Sequence, residues 1–391
     1  MKKLACILLA LLLCLSALGA AGESEGPVSY LYTFTPGKLL EGEGTEIVTE
    51  LLSALQIQFI SENAGGEKAA QIRLLSDGEE AFTLTARETS GGDYLLACSL
   101  LGDNVLRCHR EQMESFMLTL VQMLANLNVF KGENLDKVNS MATRFADLLD
   151  STLNREAGKE AGINLTPYLE ILSRKADSTE EREPSEKDRE ELGAVKLTVY
   201  RLNEETRREL VSLGIGKLLK FPVIGSRLKA GELKIGGQPV TEGQIREMFM
   251  DPPGETTVEL ATDAQDRPVR LTLYTPDISG QISNPALEGI RGAEIVIRRQ
   301  DGENGAFVSN STISLPGLEG ELVSVRLDRG PWDPIPALPE KNVHDVGEMN
   351  SEELLKLVNS MKLVILKNAA NMILSLPRCV FDMLGSKIFG K

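Results

Sequence analysis

Alternation of apolar and polar residues with a period of two recurs along the chain and constrains its fold more than any other feature. Successive side chains on a strand point to opposite faces, so each run predicts a strand with one apolar and one solvated side. Turns containing glycine, such as Ser76–Gly78 and Ser90–Gly92, separate several runs, which favours antiparallel meanders over parallel crossovers. The runs are Tyr30–Phe34, Gln56–Ile60, Gln71–Leu74, Ala81–Thr85, Lys196–Tyr200, Thr257–Leu260, Val269–Leu273, Glu294–Ile297, Thr312–Leu315 and Leu322–Leu327.

Apolar residues at helical spacing predict a few long helices. One helix is expected near 111–128, a second apolar run covers 135–149, and the longest helix is expected over 350–376. The candidate N-caps are Thr45, Asn203, Thr241 and Asn350. The last two precede a Gln or Glu by three residues, the spacing of a capping box. Together these patterns predict an α+β fold in which amphipathic helices cover curved antiparallel β-sheets.

A strongly charged segment divides the chain. Residues 174–192 contain almost no apolar side chains, so a charged linker or exposed loop is expected there. It separates an expected N-terminal sheet-and-helix lobe at 28–173 from a C-terminal one at 193–377. Each lobe starts with a strand and a capped helix and ends in a long apolar helix, an order that suggests a duplicated unit. An apolar tail follows at 378–391.

The N-terminus has the three parts of a secretory signal peptide. Two lysines precede an apolar run of about 15 residues, and small residues up to Ala21 precede the acidic Glu23. The run is shorter than the roughly 20 residues that span a bilayer, so cleavage is favoured over a retained anchor. We therefore expect a signal peptide at 1–21, a secreted or extracytoplasmic protein, and no transmembrane segment after cleavage.

Charge and composition exclude some classes of partner. The chain has 42 Lys and Arg against 57 Asp and Glu, a formal net charge of −15. Contacts with phosphate groups need clustered positive charge, so no nucleic-acid partner and no non-specific binding to anionic lipid is expected. The oligomeric state is left open.

Two cysteines form a candidate disulfide. Cys98 and Cys108 flank a Gly-Asp-Asn turn at 102–104, and a three-residue hairpin loop there would place them directly opposite each other. Opposed residues can have the separation that a disulfide needs. The alternative is two half-buried free thiols.

The sequence contains no recognised catalytic or metal-binding motif. The zinc-protease, serine-hydrolase and Cys-x-x-Cys motifs are missing. Leu213–Lys217 lacks the first glycine and the hydroxyl residue of a phosphate-binding loop. We therefore expect a non-enzymatic protein without cofactor or metal, and an envelope hydrolase with an unrecognised carboxylate site as the alternative.

A family resemblance rests on segments 93–106 and 350–377 and on the strand and helix pattern over 28–377. The chain resembles uncharacterised secreted proteins of Gram-positive gut bacteria, and it is more distantly similar to the LolA/LppX-like lipoprotein carriers. The carriers hold acyl chains between a curved half-barrel sheet and its helices. The resemblance thus implies an exported binding protein of the cell envelope, whose partner is a hydrophobic ligand or an envelope protein.

The tail at 378–391 holds six apolar residues, more than a free terminus in water normally exposes. Either the tail packs back on its own lobe, or it docks to a partner or a membrane interface.

Overall fold

The strands of the two halves join into one large antiparallel sheet. The structure is a computed structural model that describes residues 27–40, 46–64, 67–116, 118–119, 165–219, 233–235, 238–244, 246, 255–275 and 289–377. The strands in chain order are β1 Val28–Pro36, β2 Leu55–Ala64, β3 Glu67–Ser76, β4 Glu79–Glu88, β5 Asp93–Cys98, β6 Val105–His109, β7 Ser178–Arg182, β8 Lys196–Leu202, β9 Leu233–Ile235, β10 Gln238–Val240, β11 Thr256–Thr262, β12 Pro268–Tyr274, β13 Gly292–Asp301, β14 Phe307–Ser314, β15 Glu321–Pro331 and β16 Val343–Asp345.

Fourteen of these strands form the sheet, in the order β16-β6-β5-β4-β3-β2-β1-β15-β14-β13-β12-β11-β8-β7, and β9 and β10 form a separate hairpin. All neighbours in the sheet pair antiparallel except β16, which joins β6 in parallel. Short turns build the meanders that the sequence predicts. The β3–β4 turn has positive φ at Asp77 and Gly78, which matches the twist of the flanking strands. The predicted runs all fall on strands, except that Leu315 lies one residue beyond β14.

The helices lie mainly on the apolar face of the sheet. They are α1 Glu46–Ala54, α2 Thr166–Lys175, α3 Glu186–Leu192, α4 Glu204–Leu219, α5 Ser351–Ser360 and α6 Lys362–Ser375. Ala369 and Met372 of α6 share a buried cluster with Tyr30, Tyr32 and Phe82, and this cluster extends from β4 to the middle of the sheet at β14. Nearer the β7 edge, Leu172 of α2 and Leu210 of α4 pack with Val258 of β11. Among the described residues, no helix has both the length and the apolar character needed to cross a bilayer.

The predicted long helix over 350–376 is instead two helices that meet at Met361. Asn350 caps α5 and forms a complete capping box with Glu353, as the spacing predicts. Near the end of α5 the Ser360 hydroxyl donates to the carbonyl of Leu357. Such side-chain bonds compete with the backbone ladder and favour a break, and α6 starts immediately afterwards.

The other described caps agree with their predictions. Asn203 accepts a hydrogen bond from the backbone of Thr206, and Thr241 and Gln244 form both bonds of a capping box. Several predicted features lie outside the described residues: the signal peptide, Thr45, residues 135–149, Cys379 and the tail at 378–391. The helix expected near 111–128 is described only in its first turns, where Met113 and Phe116 are buried.

The prediction of a linker or loop at 174–192 is wrong. Strand β7 pairs with β8 over its five residues, and α3 follows with Ser185 as its N-cap. This strand lies at the edge of the sheet, and all five of its residues are exposed. Because neither of its faces is buried, its sequence shows no alternation of apolar residues. It is a strand because its backbone pairs with β8, and such pairing leaves no periodic pattern in the sequence.

The sheet is continuous between the two expected lobes. Strand β1 pairs with β15 along its whole length, from Val28 opposite Pro331 to Pro36 opposite Val323. After β15 the chain returns to the first half, where β16 extends the edge at β6 and α6 covers β1 to β4. The structure thus confirms a mixed α+β fold with a large antiparallel sheet, and it does not confirm two lobes or a duplication.

Candidate functional site

The middle of the apolar sheet face is the candidate binding surface. In one row across the sheet, Ile295 of β13 lies opposite Ile313 of β14, which lies opposite Val323 of β15. The next row is Ile297, Ser311, Val325 and Phe34. Directly opposed residues point to the same side of a sheet, so the two rows form one surface. We call these seven residues the central apolar face.

The central apolar face is half-buried, and at one edge its Phe34 and Val325 pack against the buried cluster that α6 covers. Its five Ile and Val residues and Phe34 all keep part of their surface in contact with solvent, and the small Ser311 between them is buried. An apolar surface that folding leaves partly exposed can still gain free energy by contact with an apolar ligand. The arrangement therefore suits contact with a hydrophobic molecule.

A stack of arginines on aromatic rings borders this surface towards the start of β14. The guanidinium carbon of Arg299 lies 3.8 Å from the centre of the Phe307 ring, and Arg329 lies 5.6 Å from the centre of the Tyr30 ring. Arg329 also donates to the Tyr30 hydroxyl at 3.1 Å. The two guanidinium groups therefore form the boundary of the apolar surface on this side.

The opposite face of the sheet is mainly polar and is partly crossed by the chain, and near the β7 edge it packs a small apolar cluster with Leu192 of α3. Gln58, Arg73 and Glu80 form hydrogen bonds and an ion pair across β2, β3 and β4. Ile335, in the segment after β15, packs with Ile60 and donates its backbone N–H to Glu62. Ligand contact on this side would require the loss of satisfied polar contacts, so the apolar face is the better candidate.

Trp332 remains 44% exposed, and its backbone N–H donates to the carbonyl of Pro27. It begins the segment that crosses the polar face and lies away from the candidate surface.

The structure brings three carboxylates together around Arg270 of β12. Its guanidinium lies 2.9 Å from Asp188 of α3, 3.3 Å from Glu259 of β11 and 3.8 Å from Glu294 of β13. Sequence reasoning placed Asp188 in a linker and could not find this cluster, since its members come from four elements. Because the guanidinium occupies the space between the acids, the cluster is a partly buried ion-pair network that holds α3 on the sheet rather than two acids flanking a substrate bond.

The expected register of the cysteine hairpin is wrong. Tyr94, not Cys98, lies opposite Cys108, and Cys98 lies opposite Leu84. Residues Ser99–Leu101 form a turn of 3-10 helix, which lengthens the loop and shifts the register by four residues. Both cysteines are free in the structure.

Neither thiol has the character of a nucleophile. Burial, followed by the charges of Asp345 and Asp93, raises the pKa of Cys108 to about 11. Burial also raises the pKa of Cys98. Reactive cysteines instead have a lowered pKa and an exposed sulfur, so these two contribute to packing.

Leu213–Lys217 lies within helix α4 and forms no phosphate-binding loop. The described residues contain no group of three or more His, Cys, Asp and Glu side chains that could hold a metal ion.

No protein-family model matches the chain, and a search of curated proteins found no similar sequence. The resemblance to secreted proteins and lipoprotein carriers therefore stays a prediction.

Proposed function

We propose that the protein is an exported, non-enzymatic binding protein of the cell envelope that carries a hydrophobic ligand. The observation that carries the proposal is the half-buried central apolar face, at one edge of which Phe34 and Val325 pack against the cluster that α6 covers. A ligand that covered these side chains would remove apolar surface from water, at roughly 25 cal/mol per Å². The opposite face is mainly polar, as in other antiparallel sheets that have one solvated face.

The sequence supports the extracytoplasmic location. A basic start, a short leucine-rich run and small residues before Glu23 form a signal-peptide pattern. N-terminal sequencing of the protein from culture supernatant should therefore begin near Gly22. Recovery of Met1 would remove the export part of the proposal and leave ligand binding to be judged separately.

Native mass spectrometry of the protein purified from its own host tests ligand binding. We expect a co-purified lipid or other apolar molecule that dissociates at raised collision energy. The Ile313→Gln variant should lose most of it, because a buried amide without a partner weakens an apolar contact.

Asn310→Gln is the matched control, since Asn310 is exposed on the polar face of the same strand. It should keep the bound molecule. If the host protein carries nothing, and a fluorescent long-chain fatty acid also fails to bind, the carrier proposal is wrong.

An envelope hydrolase is the alternative from sequence. The Arg270 cluster does not favour it, because each of its carboxylates faces the same guanidinium. We therefore keep the binding function as the conclusion.

A further inference from the structure

Helix α6 exposes a second apolar stripe, on the side away from the sheet. Its inner side holds Met361, Ala369, Met372 and Leu376 in buried positions, as the sequence pattern predicts. Its outer side presents Leu363 at 82%, Leu374 at 73% and Leu366 at 45% exposure. At 100° of rotation about the helix axis per residue, these leucines and Ala370 lie within a sector of about 80°. We call Leu363, Leu366, Ala370 and Leu374 the α6 stripe.

This concentration of exposed leucine differs from the rest of the described surface. Eight large apolar side chains are exposed there, and four of them lie on α6: Leu363, Val364, Leu366 and Leu374. Single exposed apolar residues are common, whereas a cluster on one helix face marks an interaction surface.

The segment of the chain that contains the stripe is basic, in contrast to the acidic protein as a whole, and one of its lysines, Lys356, pairs with Glu352. From Leu354 to Phe381 the chain has four basic residues and no acidic one, although its net charge is −15. At 100° per residue, Lys362 and Lys367 lie on the two sides of the α6 stripe. Both are exposed, and neither forms an ion pair within the described part of the chain.

We infer that the α6 stripe docks the protein on the surface of an anionic lipid bilayer. Leucines on one helix face with lysines at both margins are typical of helices that lie in the membrane interface. The lysines reach the level of the head groups by extending along the helix. Acidic regions elsewhere repel the same bilayer only weakly beyond about 8 Å, the screening length at physiological salt, so the basic helix sets the orientation.

This inference uses a different surface from the ligand-binding proposal. The α6 stripe points away from the sheet, while the central apolar face is part of it. Membrane docking can therefore fail while ligand binding holds, and the reverse is also true.

Vesicle flotation tests the inference with the chain from Gly22 onward. We expect the protein to float with phosphatidylcholine vesicles that contain roughly one third phosphatidylglycerol, and to stay unbound with phosphatidylcholine alone. Binding should weaken at high salt. The Leu363→Ser/Leu374→Ser double variant should lower the partition coefficient at least about tenfold, because each leucine contributes apolar contact with the interface.

The lysines provide a second variant that leaves the apolar surface unchanged. Lys362→Gln/Lys367→Gln should weaken binding to anionic vesicles by about fivefold for each lysine. Val195→Ser is the matched control, because Val195 is 59% exposed and lies outside α6. It should bind as the wild type does. Circular dichroism verifies that every variant is folded.

Three results would overturn the inference. The first is flotation that does not depend on anionic lipid or on the α6 leucines. The second is a lower thermal midpoint for the leucine variant without vesicles, which would mean that the stripe is already covered by the tail at 378–391. The third is a dimer that this variant converts to a monomer, which would identify a second copy as the occupant.

Discussion

The thiols of Cys98 and Cys108 should stay reduced and unreactive in the folded protein. Burial raises the pKa of both, so little thiolate is present near neutral pH. Iodoacetamide should leave both unmodified in buffer, and should modify both in denaturant without reductant. Peptide mapping by mass spectrometry separates them from Cys379. Failure to modify them in denaturant would indicate the disulfide that the sequence suggested.

Asp263 should stabilise the β11–β12 turn in a pH-dependent manner. Its burial raises the pKa, but bonds from the backbone and side chain of Arg267 and from Gln265 outweigh this, and the net pKa is lowered. Hydrogen bonds from Arg267 and Arg299 also lower the pKa of Asp301. A lowered pKa in the folded state means stability that is present above the unfolded pKa and is lost as pH falls.

Asp263→Ala should therefore lower the free energy of unfolding by about 1–2 kcal/mol at pH 7. The difference from the wild type should shrink as pH falls from about 5 towards 2. Urea unfolding at several pH values measures this. Asp333→Ala, at an exposed position, should be close to neutral, and a deficit of Asp263→Ala that grows in acid would contradict the argument.

At the scale of elements, the capping box of α5 should determine how firmly the last two helices are held. The Asn350 side chain accepts bonds from the backbone of Glu352 and Glu353. Asn350→Ala should cost about 1 kcal/mol in urea unfolding, because two N–H groups lose their acceptor. Glu353→Gln is the control, since glutamine also serves in a capping box. An equal loss for both variants would show that the charge of Glu353 matters more than the cap.

The apolar tail adds a prediction at the same scale. It follows Leu376 and Pro377, which are both buried at the end of α6. Deletion of 378–391 should lower the thermal midpoint if the tail packs on its own protein, since six apolar side chains would lose their burial. Unchanged stability with lost envelope association would instead support docking to a partner. If neither property changes, both interpretations of the tail are wrong.

For the whole molecule, the pairing of β1 with β15 should make the described sheet unfold as one unit. Nine residue pairs connect strands from the two ends of the chain, and the cluster around Tyr32 includes residues of both halves. Calorimetry should therefore show one transition. Two well-separated transitions would favour the two lobes expected from the sequence.

A single substitution can test that coupling directly. Tyr32 is 1% exposed, and Tyr32→Ala should destabilise the fold by about 3–5 kcal/mol, as large-to-small changes of buried aromatic residues do. Hydrogen exchange should then speed up in β11 and β12 as well as in β2 to β4. Faster exchange confined to β1–β6 would show that the halves unfold separately.

Most of the local elements are encoded in short stretches of sequence. Alternation predicted the strands of β1–β4, β8 and β11–β15, because one face of each is apolar and buried or half-buried, and the side-chain period of a strand is fixed at two. Asn350, Asn203 and Thr241 were predictable caps, because capping depends on residues three positions apart. The buried side of α6 followed from its helical spacing. Its exposed leucines did not, because positions 363, 366 and 374 lie outside that spacing.

Which elements lie side by side depends on long-range contacts. The junction of β1 with β15 joins residues about 300 positions apart, and no local pattern encodes it. Asp188 reaches Arg270 because β7 and α3 close the far edge of the sheet, although the segment that holds them has a linker's composition. Cys108 lies opposite Tyr94 because a turn of 3-10 helix lengthens the loop between β5 and β6. Backbone pairing and long-range packing set these features, and both depend on three-dimensional neighbours that sequence periodicity does not contain.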